Sequence, residues 1–311
     1  MRKFSCRSLQ MNIAQRTAKN TSTGYKKVTL YVPCYNAEKY ISECLEGVLK
    51  QTYPLDEILI VDDGSTDKTV EIASKYPVRI IQHEVNKGLA TARNTGFKNA
   101  KSEYVASLDA DCVPEPDWLK KLMENFTEEG IAGVGGKLIE KYTNTLVNKW
   151  RAVHMKQNHG DNKIINPDYI FGSNNVFKRS AVEDIGYYNE NYRTNYEDVD
   201  LSNRLKERGY KLVYEPEAKV YHLLKDTLSS LLDRGWRWGY AGRTDLSRKE
   251  LFKKIVIPLG VSALQAIEDI KNGYFSLIPL DFLTGLYNST KLAGIFISKS
   301  KWSLKNIKGA K

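Results

Sequence analysis

Asp109 and Asp111 stand one residue apart in SLDADCVPEPDW, Ser107 to Trp118, between an apolar run and a proline-broken turn. Like charges this close repel unless something positive lies between them. A solvated turn tolerates such a pair. A divalent cation uses it: Mg2+ and Mn2+ take carboxylate and phosphate oxygens, held by one or two protein carboxylates plus a substrate's phosphates. An ion there would neutralise a diphosphate and stabilise it as a leaving group. Asp-x-Asp alone does not choose between the two readings.

Other residues widen the choice of chemistry. DDGSTD, Asp62 to Asp67, ends an apolar run in acids. A carboxylate there can accept a hydrogen bond from a base or ribose, and Gly64 allows the tight turn. Asp67 reads as a capping residue only. NKGLATARN places Gly88 at a helix start with Arg93 nearby, a setting that suits phosphate. NYEDVD offers Glu197, Asp198 and Asp200 at the head of an amphipathic segment. A general base must face a hydroxyl in a partly desolvated site. With Leu201 and Leu205 facing the core, Asp198 shares their face, whereas Asp200 points elsewhere as an ordinary N-terminal acid. His222 closes the apolar run VYH and gains meaning as a metal ligand only from the acids. His83, His154 and His159 have no comparable context.

The elements that must position these residues follow from periodicity. VTLYVP, EILIVDD, VRIIQH and YVASLD read as strands. YISECLEGVLKQ is a helix with Ile41, Cys44, Leu45, Val48 and Leu49 on one face. KTVEIASKY is a helix capped by Ser65 or Thr66, and GLATARNTGFKNA is opened by Gly88. PDWLKKLMENF carries Pro116 near its start. Strands alternate with helices and are almost continuously apolar, the mark of a mostly parallel sheet covered on both faces. Ligands bind beyond the carboxyl ends of such strands. PCYN, DDGSTD and DADC are therefore expected to meet in one cleft. Beyond Gly130 the alternation loosens: IAGVGGKLIE is a strand with glycine bends, Ser173 to Asn175 interrupt a strand, and KLVYEPEAKVYH gives two short strands broken at Pro216.

Of the 311 residues 41% are hydrophobic, enough for one large domain and an appendage. The formal net charge is +10, which calls for a polyanionic partner: a phosphorylated substrate, an anionic membrane surface or nucleic acid. Lys and Arg are spread over helices and both ends of the chain without an aromatic-interleaved basic motif, so nucleic acid is not expected. Cys6, Cys34, Cys44 and Cys112 lack zinc-site spacing and read as reduced thiols in a reducing compartment. No segment reaches the length of apolar run that spans a bilayer.

In order along the chain, VTLYVPCYNAEKYISECLEGVLKQTYP, EILIVDDGSTDKT, NKGLATARNTGFKNA, YVASLDADCVPEPDWL, GSNNVFKRSAVEDIGYYNE and EDVDLSNRLKERGYKLVYEPEAKVYH resemble the family 2 glycosyltransferases over Val28 to His222. The resemblance implies the GT-A fold: a Rossmann-like, mostly parallel α/β sheet between helices. It implies a metal-dependent, inverting transfer of a sugar from a nucleotide-sugar donor to a hydroxyl of a glycan or lipid-linked acceptor. Pro33, Tyr35, Asn36 and Glu38 would frame the nucleotide, Asp62 and Asp63 the base, and Asn86, Lys87 and Arg93 the nucleotide-sugar. Asp109, with Ala110 beside it, and Asp111 would hold Mn2+ or Mg2+ on the diphosphate, with His222 completing the metal site. Asp198 would be the catalytic base with Glu197 beside the acceptor, and Gly172, Ser173 and Asn174 would border the acceptor pocket.

RGWRW, with Arg237 and Trp238, looks like the family's Arg-Trp acceptor motif. It lacks the usual glutamine, and nothing here matches the family's multi-span channel, so processive polymerisation is not expected. A nucleotidyltransferase acting on sugar phosphates would not explain NYEDVDL or VYH; a basic membrane- or nucleic-acid-binding protein is the other alternative. The expected organisation is a basic arm over residues 1–26, a catalytic domain over 27–225 and a helical, membrane-associating appendage over 226–311. A cytoplasmic protein, peripheral on the cytoplasmic face of a membrane, fits that organisation.

Overall fold

The computed structural model describes residues 25–192, 195–239 and 248–308. Cys6 and all but the last two residues of the expected basic arm lie outside them. The described residues form two compact units. One runs to Lys141 and resumes over Gln157–Leu224; the other joins Tyr142–Lys156 to the residues from Lys225 onward.

The first unit is built on a nine-stranded sheet ordered β3-β2-β1-β4-β8-β6-β9-β5, with β7 also on β9. The strands are β1 (Val28–Cys34), β2 (Glu57–Asp62), β3 (Arg79–Gln82), β4 (Tyr104–Leu108), β5 (Cys112–Pro114), β6 (Ile131–Glu140), β7 (Ile164–Ile165), β8 (Asn174–Lys178) and β9 (Lys211–His222). β3, β2, β1 and β4 are parallel, as their unbroken apolar sequences require. The other half is mixed. β8 runs antiparallel to β4 and β6, while β6 and β9 are parallel.

Both faces of the parallel half are covered. Against one lie α1 (Ile41–Val48), α2 (Thr69–Ala73) and α4 (Trp118–Met123), whose Ile41, Leu45, Ala73 and Leu119 meet Leu30, Val32 and Ile60. Against the other lie α3 (Leu89–Asn99), α6 (Arg179–Asp184) and α7 (Glu197–Glu207), whose Phe97, Val182, Leu201 and Leu205 meet Tyr31, Leu59 and Val61. Alternate residues of one strand thus feed two cores, which is why the strand sequence shows no polar face.

Three local expectations need correction. β9 is one strand rather than two: its pairing with β6 jumps from Gly136–Glu215 to Lys137–Lys219. Pro216 sits in that bulge, where no ladder donor is needed. Ser173 to Asn175 do not interrupt a strand, because β8 begins at Asn174. Neither Ser65 nor Thr66 caps α2. Asp67 accepts from the Thr69 N–H at 2.9 Å, while Ser65 Oγ accepts from the Asn36 N–H.

The second unit is helical: α5 (Leu146–His154), α8 (Leu228–Gly239), α9 (Arg248–Lys254), α10 (Ile257–Lys271), a short 3-10 turn (Phe275–Leu277) and α11 (Ile278–Lys308). α5 comes from between β6 and β7 in the chain. Its Trp150, with Met155 just beyond it, shares a core with Leu231, Leu277 and Leu280, so the second unit is not the simple C-terminal piece expected from 226 onward. α10 and α11 bury several polar residues and expose a row of apolar ones. Ser262, Ala266, Asp269, Asp281, Thr284, Asn288 and Ser289 are buried, whereas Leu259, Val261, Leu264, Ile267, Ile270, Phe282 and Leu286 are exposed. The helices approach closely at Gly285, where an added Cβ would stand 2.1 Å from Ser262 Oγ. Among the described residues no helix is long and apolar enough to cross a membrane.

Candidate active site

The carboxyl ends of β1, β2 and β4 point the same way, and the expected loops follow from them. The loops after β1 and β2 lock together through side chains. Asn36, in the left-handed region at φ 50°, accepts from the Thr66 N–H, and Glu38 accepts from the Lys68 N–H at 3.1 Å. Pro33 is buried in β1, Tyr35 is half exposed, and Asn86 and Lys87 are exposed.

Asp62 and Asp63 are both buried. Asp63 is heavily engaged: its oxygens accept from Lys87 N–H at 2.9 Å and Gly88 N–H at 2.8 Å, and meet His83 Nδ1 at 2.7 Å. These bonds hold the loop that starts α3. Asp62 accepts from Ser65 N–H and Gln82 Nε2. Sequence reasoning gives His83 no role; the structure ties it to Asp63 and to Thr95 Oγ1.

Arg93 is the centre of the arrangement. It is 1% exposed and projects from α3 under the end of β4. Its guanidinium donates to Ser107 Oγ at 2.9 Å, to the Gly172 carbonyl and to Asp109 Oδ1 at 3.1 Å, and its Nε lies 3.6 Å from Glu197 Oε1. A buried Arg satisfies this many acceptors because its fork is planar and always charged. Gly172 in turn donates its N–H to Asp198 Oδ2 at 3.0 Å. One residue thus links the acids of DADC to the acids of NYED. Gly172 must be glycine here: an added Cβ would lie 2.7 Å from Arg93 Nη2.

Burial raises the Glu197 carboxyl to about 7 against the pull of Arg93. Burial also raises Asp109, opposed by Arg93 and reinforced by Asp111. Asp198 is less buried than Glu197, so of the two adjacent acids it has more access to the cleft. Tyr196, just before them, is held at φ 74°; a bulky residue in the left-handed region is a costly conformation that clusters at functional sites. Asp200 turns away and pairs with Arg204 at 2.7 Å.

His222, the last residue of β9, is placed beside Cys112 at the start of β5. Its Nε2 lies 3.1 Å from Asp111 Oδ2, and its Nδ1 lies 3.0 Å from both Glu140 oxygens. Burial works to lower the imidazole; Asp111 and Glu140 override it and hold it up at about 9. A carboxylate behind one ring nitrogen, with the other nitrogen turned to the site, is the arrangement that orients a metal-binding histidine. Sequence reasoning misses Glu140. Only its register opposite His222 gives it meaning. Asp111 and His222 are side by side while Asp109 Oδ1 is held by Arg93; carboxylates of this kind take Mn2+ or Mg2+ when diphosphate oxygens supply the remaining ligands.

The residues expected around an acceptor divide. Ser173 and Asn174 are buried and bond inward, to Gln157 Oε1 and to Trp118 Nε1. Ala110 is buried beside the two aspartates. Arg237 and Trp238 belong to the second unit, where Arg237 pairs with Asp233 and Trp238 packs against the core around Leu231. Cys34, Cys44 and Cys112 are free and buried, and burial pushes all three thiols up.

Residues 29–186 match the family described as Glycosyl transferase family 2. The chain is 30% identical over 270 residues to a poly-beta-1,6-N-acetyl-D-glucosamine synthase of Staphylococcus epidermidis, covering 82% of this chain and 65% of that protein. Against the Staphylococcus aureus (strain COL) protein of the same name it is 32% identical, over 71% of this chain and 56% of the relative. Among solved structures, residues 1–349 of S. aureus TarS superpose with a TM-score of 0.53 at 17% identity, covering 88% of this chain and 91% of that one. A mannosyltransferase of Pyrobaculum calidifontis, solved with GDP-Man and Mn2+, gives 0.54 at 18% identity, over 95% of this chain and 88% of that one. These two superpositions establish the GT-A fold.

Proposed function

The chain belongs to glycosyl transferase family 2, and on that premise we propose that it moves a sugar from a nucleotide-sugar donor to a hydroxyl of a glycan or lipid-linked acceptor. It spans 65% of the length of the S. epidermidis relative, so the activity of that whole protein is carried over here only as a proposal. The relatives' name makes N-acetylglucosamine the first sugar to try. TarS solved with UDP-GlcNAc supports UDP as its carrier.

One observation carries the reading: Asp109 and Asp198, from distant parts of the chain, are both tied to Gly172. Asp109 is joined to its carbonyl through Arg93, and Asp198 accepts directly from its N–H. A leaving-group site and a base held to one residue cannot drift apart, which is what a displacement between two bound substrates needs.

In the proposed reaction Asp198 takes the proton of the acceptor hydroxyl, and the oxygen attacks the anomeric carbon as the nucleoside diphosphate leaves with inversion. Glu197 stays buried on Arg93 and fixes the start of α7. Asp111, His222 and Asp109 would hold a divalent cation, which when bound offsets the charge of the departing diphosphate. Glu140 keeps His222 turned so that Nε2 faces Asp111. Asn36, Glu38, Asp62 and Asp63 shape the nucleotide end by fixing its loops.

The exposed apolar row of α10 and α11 supports a peripheral place on an anionic membrane surface, with that row in the headgroup region and lysines such as Lys253 of α9 and Lys271 of α10 near phosphate. Such a location suits a lipid-linked acceptor, and the free cysteines suit the cytoplasmic face. The test is a panel of nucleotide-sugars read by nucleoside diphosphate release, with Mn2+, Mg2+ or chelator, with and without a lipid extract as acceptor. Release from one donor that needs metal and acceptor supports the reading. Release from none of them, or release indifferent to chelator, contradicts it.

A further inference from the structure

His154 on α5, Asp269 on α10 and Asp281 on α11 meet inside the second unit, and we propose that they bind a divalent transition-metal cation of the zinc class. His154 Nε2 lies 3.0 Å from Asp269 Oδ2 and 3.4 Å from Asp281 Oδ1. Ligands around tetrahedral zinc, with bonds of about 2.0 Å, stand about 3.3 Å apart. One ligand atom from each residue falls within 4.8 Å of the others, and among the described residues no other such trio occurs.

The charges favour a cation. Both carboxylates are 0% exposed, and among the described residues His154 is the ionic partner of each. Two carboxylates buried together call for positive charge beside them, because an uncompensated buried charge is strongly unfavourable. Asp269 Oδ1 and Asp281 Oδ2 are buried and accept from no donor group, and the two carboxyls lie within hydrogen-bond reach of each other. Asp281 Oδ1 accepts from Trp150 Nε1 at 2.7 Å, the kind of outer contact that fixes a ligating carboxylate. An imidazole with two carboxylates, with no substrate phosphate to add oxygen ligands, is a zinc-type donor set. The ion would pin three helices that come from separated parts of the chain. This site is independent of the proposed transfer reaction, being made of other residues.

The test counts metal on the full chain after chelator stripping, Zn2+ loading and desalting, by plasma mass spectrometry. The donor-side carboxylates are removed first with Asp109→Asn and Asp111→Asn. That chain is expected to retain one zinc, and to lose it on addition of Asp269→Asn or His154→Gln. Zinc is expected to raise its Tm by about 5 °C, and Co2+ to give the visible bands of a low-coordinate nitrogen and oxygen site. Circular dichroism checks that the variants fold. Should they not fold, the zinc count and cobalt spectrum of the chain with Asp109→Asn and Asp111→Asn still decide. Absence of retained zinc there overturns the proposal in favour of a shared proton, as does retention that survives both Asp269→Asn and His154→Gln.

Discussion

Substituting Gly172→Ala probes the link between the two acidic groups. The new Cβ would lie 2.7 Å from Arg93 Nη2 and 2.9 Å from Cζ, so relief to ordinary contact needs a shift of about 0.7 Å. Arg93 is 1% exposed and bonded to Ser107 and Asp109, so it moves only by loosening those bonds. Overpacking of this kind costs about 1–3 kcal/mol, and a weakened bond to a charged group adds about 1.5 kcal/mol. A loss of about 3 kcal/mol is expected in urea unfolding followed by tryptophan fluorescence. Arg93→Lys should cost about 3 kcal/mol by leaving Glu197 and Asp109 poorly paired. Combining the two should cost less than their sum by about 1–2 kcal/mol, because the slimmer ammonium removes the clash. Transfer by Gly172→Ala should fall about 100-fold through misplacement of the acids. Additivity within about 0.5 kcal/mol would refute a direct contact between the new methyl and the guanidinium.

Glu140→Gln should raise the metal concentration for half-maximal activity about 10–100-fold, recoverable with excess metal, because His222 loses its orienting carboxylate; an unchanged metal titration contradicts that role. The Glu197 carboxyl is raised by burial to about 7, against about 4.3 when unfolded. The folded chain therefore holds this proton more tightly. Its stabilising effect is full below about pH 4.3 and is lost as pH rises to about 7. Urea unfolding at several pH values should show that decline in the native chain and a flatter profile in Glu197→Gln; parallel profiles contradict it. Leu264→Glu with Ile267→Glu should reduce flotation with anionic vesicles at unchanged helicity, whereas undiminished flotation places membrane contact elsewhere.

The parallel half of the sheet was legible because β1, β2 and β4 are buried on both faces and end in polar residues. The same rule brought Asp62, Asp109 and their neighbours to one side. The mixed half was harder. Pro216 reads as a break, but a bulge accommodates it, and bulges depend on the partner strand. Asp198 and Asp200 were separable by helical phase against Leu201 and Leu205. Arg93 was legible as a cation near a helix start, but its burial between Asp109 and Glu197 was not, since guanidinium contacts depend on which loops converge. Glu140 had no signal beyond an acid at a strand end; His222 opposite it supplies the meaning. His154, Asp269 and Asp281 are single polar residues in separate helices, and no spacing rule joins them.

The most direct measurement is the rate of transfer by Asp198→Asn at saturating donor, metal and acceptor, beside its affinity for nucleoside diphosphate. The side chain keeps its shape and loses its capacity to take a proton. Transfer is expected to fall by about 1000-fold or more with nucleoside diphosphate affinity little changed. Transfer at the native rate would contradict Asp198 as the base.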